Sequence, residues 1–122
     1  MTATADIEAR VAELLSAIGG LTVYTGGTDS INELPAALVR VRGANYSDGT
    51  FKVSVLLLAA SSDSGEAERR LSPFLATSGA SSVKAAIEQD AGYLAVDFSG
   101  FDSHRAGGME YRGVDIRVVA AV

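Results

Sequence analysis

The sequence predicts an α+β domain: a mostly antiparallel sheet built from two hairpins, packed by an N-terminal helix and a central helix pair. Three observations carry that expectation. Residues 6–18 repeat apolar side chains at helical spacing. Two pairs of segments alternate apolar and polar residues around glycine-containing turns. The two helical stretches between those pairs stand together instead of alternating with single strands. Helices segregated from hairpins point to an antiparallel sheet, because parallel neighbours need a long crossover.

Ile7, Val11, Leu14, Leu15 and Ile18 form the stripe of the first helix, with Asp6, Glu8 and Glu13 off it. Thr4 or Asp6 can cap its start, and Gly19-Gly20 stops it. A short strand over Leu21–Tyr24 is expected next. "TGGTDSINELP" is loop chemistry, closed by Pro35. Residues 36–42 read as a strand with Ala37, Val39 and Val41 inward. Asp48-Gly49 marks a tight turn. The pairing strand, 50–60, puts Phe51, Val53, Val55 and Leu57 on one face. Leu56 and Leu58 lie on the other, so its end is expected to be buried on both sides.

A second helix opens at Ser62 or Asp63, carries Ala67, Leu71, Phe74 and Leu75 as its stripe, and breaks or kinks at Pro73. A third, short helix has Ser81 or Ser82 as cap and Val83, Ala86 and Ile87 inward. "GYLAVDFSGF" and "GMEYRGVDIRVVAAV" then close as a hairpin across "DSHRAGG". In the last segment Val114, Ile116, Val118, Ala120 and Val122 alternate with a mostly polar set. Ile7, Leu14, Val53, Val55, Leu71, Ile87 and Ile116 are the expected core.

The 122 residues fit one domain, 1–122. There is no cysteine, which excludes disulfides and thiolate chemistry. The start lacks the basic and apolar blocks of a signal peptide. The longest apolar run, "VLLLAA", is too short to span a bilayer. Ten basic residues stand against fifteen acidic ones, a net charge of −5. Only Arg69-Arg70 are adjacent, so the clustered cations of a nucleic-acid grip are missing.

"FDSHR" places Asp102, Ser103 and His104 together, but neighbours on an extended segment face opposite ways, which argues against a triad. Asp102 and His104 share a face and would need a third ligand to hold a metal. "GGTDS" at 26–30 lacks the following helix and lysine of a phosphate loop. Asp97 and Asp102 read as solvated hairpin charges, and Tyr93, Phe98, Phe101 and Tyr111 as cross-strand packing. The expectation is a protein that is not an enzyme, with no catalytic residue, cofactor or metal.

Taken as a string, "YSDGTFKVSVLLLAA", "AERRLSPFLA", "GASSVKAAIEQD" and "EYRGVDIRVVAAV" resemble the tail-terminator (tail-completion, neck) proteins of long-tailed phages. The matching residues are Ser82-Val83, Ala86-Ile87, Asp90, Tyr111, Gly113 and the Val114–Val118 alternation. The resemblance implies a homo-oligomeric ring, usually a hexamer, that caps the finished tail tube, stops its polymerisation and joins tail to head. It implies a tail tube protein and head–tail connector proteins as partners. Genomic DNA would pass through the lumen without specific binding, and no membrane is involved. The place would be the virion, in the tail or neck, after synthesis in the host cytoplasm. Another connector, tube or baseplate ring component, or a small non-phage binding module, is the alternative reading. Arg40, Arg42, Arg112 and Arg117 on strands, with Asp29 and Glu33 in the long loop, are the expected subunit or tube interface. The strand arginines would meet a neighbour's carboxylates, since helix 6–18 is net acidic.

Overall fold

Ile7, Val11 and Leu15 are fully buried along one side of the first helix, α1 (Thr4–Leu15). Each such side chain contributes about 1.5–3 kcal/mol relative to exposure. This computed structural model describes residues 3–25, 31–60 and 64–122. The expected caps at Ser62 and Asp63 lie outside them. The N-cap of α1 is Ala3 and not Thr4 or Asp6; Asp6 lies in the first turn and accepts the Ala3 N–H at 3.2 Å. The helix ends earlier than its apolar pattern, yet Ile18 stays buried because a turn carries it back towards Leu15. Gly20, at φ +80°, then redirects the chain.

The order continues through β1 (Thr22–Thr25), β2 (Ala36–Asn45) and β3 (Thr50–Ala60) to α2 (Ser64–Leu71) and a 3₁₀ turn over Ser72–Leu75. α3 (Val83–Ile87), β4 (Tyr93–Phe98), β5 (Asp102–Ala106) and β6 (Met109–Ala120) complete it. Each boundary has a local cause. The Asn45 carboxamide oxygen accepts the N–H groups of Ser47 and Asp48, and Gly49 takes φ +69°, so β2 turns into β3. Pro73 ends α2 and opens the 3₁₀ turn. Ser82 caps α3 by accepting the Ala85 N–H at 3.0 Å, and its hydroxyl donates to the Ala76 carbonyl at 2.5 Å.

The six strands form one sheet in the order β1-β2-β3-β6-β4, with β5 also paired to β6. β2–β3, β3–β6, β4–β6 and β5–β6 are antiparallel, whereas β1 runs parallel to β2. The sheet is therefore richer than two hairpins. The segment expected as a connecting tip, "DSHRAGG", is itself strand β5 followed by a turn through Gly107 and Gly108, both at positive φ. The alternating last segment, β6, is interior: β3 pairs residues 111–120 of it on one side, and β4 and β5 share the other.

The core lies between the helices and one sheet face, which presents Ala37, Val39, Val53, Val55, Leu57, Val114, Ile116 and Val118. Of the expected core, Leu14 is only half-buried at its margin. Leu58 is fully buried on the opposite face, as its position on a two-sided strand end implies. Gly113 explains how: a Cβ there would lie 2.5 Å from the Leu57 carbonyl oxygen, 2.7 Å from Leu58 Cδ2 and 3.1 Å from His104 Cδ2. Only glycine lets His104 and Leu58 close over β6. The aromatic residues do not pair across strands. Tyr93 stands opposite Ala120, Phe98 opposite Ile116 and His104 opposite Tyr111. The strand registers separate what proximity in sequence suggested.

Candidate functional site

The sheet face turned away from the helices holds most of the unpaired polar chemistry. Its registered rows are readable from the ladder: Arg40 opposite Ser54 opposite Arg117, and Leu38 opposite Leu56 opposite Asp115. Ser54 is buried, and its hydroxyl donates to Asp115 at 2.5 Å. Around this pair lies a groove of about 300 Å³, lined by Leu38, Arg40, Arg42, His104 and Arg105 among others. A second hollow of about 310 Å³ adjoins it, reaching Lys52, Val96, Arg117 and Val119. The two share Arg42, Ser54 and Asp115, so they form one trough with the Ser54–Asp115 pair at its centre, Leu38 and Leu56 beside it, and a basic rim.

His104 helps to line the trough and is not the plain surface residue of a hairpin tip. It is half-buried, and its Nε2 is buried with no hydrogen-bond partner. It forms no triad, and Asp102 instead accepts the Ser103 N–H at 2.8 Å. Among the described residues no group of three metal-ligating side chains converges.

The arginines expected at an interface divide into two kinds. Arg117 is held by a bidentate pair with Asp97, which keeps the Asp97 carboxyl below the usual range. Arg112 is tied to Glu68 of α2 at 3.2 Å. Arg40 and Arg42 are exposed and have no ion-pair partner among the described residues. Glu33 is exposed and accepts the Thr22 hydroxyl at 3.2 Å. Asp29 lies outside the described residues.

A second surface is the edge strand β4. Leu94, Val96 and Phe98 expose 54%, 50% and 52% of their area, and the strand's outer side pairs with no described strand. A bulge between Ala95 and Asp97 breaks its register with β6. Behind it an apolar cleft of about 270 Å³ is lined by Phe74, Leu75, Ala95, Phe98 and Ile116. Sequence reading found the alternation of this strand but not its edge position, which depends on β6 being central.

Asp90 and Glu88 fix β4 to the helices. Asp90 accepts the Gly92 N–H at 3.0 Å and Arg10 Nε of α1 at 2.9 Å, and the first of these does most to hold its carboxyl below the usual range. Glu88 is lowered chiefly by Lys84 and also accepts the Ala95 N–H at 3.1 Å. Burial pushes the Tyr93 phenol up, with Asp90 adding to the effect.

No known family model matches the chain, and a search of curated proteins finds no match. Among the described residues no helix is long and apolar enough to cross a membrane.

Proposed function

We propose that this chain is a structural virion protein, a tail terminator that caps the completed phage tail tube as a closed ring, of six subunits by analogy with the family it resembles. The ring stops tube polymerisation and joins tail to head. Its partners are further copies of itself, the tail tube protein and head–tail connector proteins. DNA passes through its lumen without specific binding, and no catalytic step is assigned to it. The observation that carries the reading is the apolar edge strand β4 in a sheet whose other edge, β1, likewise pairs with no described strand on its outer side. Exposed edges invite strand pairing between chains, and proteins that must stay apart guard them with charge or proline. Leu94, Val96 and Phe98 do the opposite. A head-to-tail contact through such edges either closes into a ring or grows without end, and a cap has to close. The resemblance in residues 82–90 and 111–118 supplies the tail context.

The test is native mass measurement and electron microscopy of the purified chain, alone and with tail tubes. Closed rings, or tubes whose ends the chain caps, are expected. A strict monomer that neither binds tubes nor alters tail length would sink both ring and cap. Localisation at the tail–head joint in particles separates a terminator from a baseplate component.

A further inference from the structure

We infer that the trough on the open sheet face receives the carboxylates of a second copy, those of its helix α1 first among them. The inference rests on the ring reading and names the surface through which such a ring would hold its register. It begins with a division of the cations. Of ten basic side chains, Arg10, Arg69, Arg70, Lys84, Arg112 and Arg117 are ion-paired within the chain. The remaining four, Arg40, Arg42, Lys52 and Arg105, have no such partner among the described residues, and all four line the trough. Arg40, Arg42 and Lys52 belong to the open face, and Arg105, beside His104 on β5, borders the trough.

The chain as a whole carries −5, so the surface outside the trough is more acidic than that figure. The helix layer covers the opposite sheet face. On it α1 carries Asp6, Glu8 and Glu13 against the single cation Arg10: Asp6 and Glu13 are exposed, with Glu13 paired to Arg10, and half-buried Glu8 accepts the Val41 N–H at 2.9 Å. Copies stacked head to tail therefore set a basic trough against an acidic helix. The lining supports a protein over a nucleic-acid occupant. Leu38 and Leu56 are apolar and suit the side chains of a folded partner better than a phosphate backbone.

The experiment is sedimentation of the intact chain at low and high salt, beside two variants. One reverses the trough (Arg40→Glu with Arg42→Glu); the other reverses the helix (Asp6→Arg with Glu13→Arg). Far-UV circular dichroism checks folding, and Arg40→Gln with Arg42→Gln provides a milder trough variant. Wild-type association is expected to weaken with salt, and each reversal to weaken it by roughly tenfold or more. Mixing the two reversed chains is expected to restore hetero-association, because one trough and one helix then match. Association indifferent to salt and to both trough variants overturns the inference. So does failure of the mixture to associate, or a wild-type chain that stays monomeric but binds duplex DNA through Arg40 and Arg42. Trough-reversed chains that still cap tail tubes would remove this contact and leave the cap reading standing. Trough-dependent association with uncapped tubes would do the reverse.

Discussion

At Gly113 three atoms decide what the residue can be. A methyl group there has no room between the Leu57 carbonyl, Leu58 and His104. Gly113→Ala is expected to destabilise the fold by about 1–3 kcal/mol, read from thermal or urea unfolding. Val55 and Ile116 fail in the opposite sense, by leaving space. Each is buried on the helix-facing side, and truncation to Ala is expected to cost on the order of 1–3 kcal/mol. Losses under about 0.5 kcal/mol at both would mean the strand faces are inverted. Glu88 and Asp90 make stability depend on acid. Both carboxyls sit below their ordinary range in the folded chain. Their contribution is therefore present above the unfolded carboxylate pKa, about 4, and is lost as pH falls through the folded values. Glu88→Gln and Asp90→Asn should melt below wild type at neutral pH, with the gap closing in acid. Individual inward residues were legible because burial follows alternation. The partners of Arg112 and Arg117 were not, since Glu68 and Asp97 are set by packing and by a bulge that no local pattern marks.

At the scale of elements, α3 has only five residues and depends on its cap. Ser82→Ala removes both the Ala85 bond and the bond to Ala76. A loss of about 1 kcal/mol or more is expected in chemical denaturation. β4 gives a different kind of prediction. Val96 is half exposed at the bulge, so Val96→Lys should leave unfolding free energy within about 0.5 kcal/mol of wild type. The same change should lower self-association measured by sedimentation, because a lysine guards the edge. An unchanged assembly would remove β4 from the interface. The helices, the β2–β3 turn and the alternating faces of β2, β3 and β6 were readable from spacing and turn residues alone. Two strands were not read in full. β1 pairs in parallel with β2, and that depends on where α1 and the loop place it. β5 is hidden because "DSHRAGG" carries the composition of a turn, and only its ladder with β6 makes it a strand.

Across the whole molecule, a helix layer whose first helix α1 is net acidic backs a sheet whose other face carries Arg40, Arg42 and Lys52, cations with no ion-pair partner among the described residues. A body polarised in this way joins copies in one direction more readily than back to back, as a closed ring demands. The trough was not legible from sequence, because Arg40, Lys52 and Arg105 come from three different strands and only the register gathers them. The interior place of β6 has a consequence in time as well as in space. β3, β4 and β5 all pair with it, β4 and β5 have no other strand partner among the described residues, and all three precede it in the chain. A ribosome therefore makes every partner before it makes the strand that unites them. Until then β3 has one open side, β4 and β5 have no ladder to join, and neither the trough nor the apolar edge exists. Translation through β6 therefore completes the sheet in one step: the trough and the apolar edge strand come into being together, once β6 has been made.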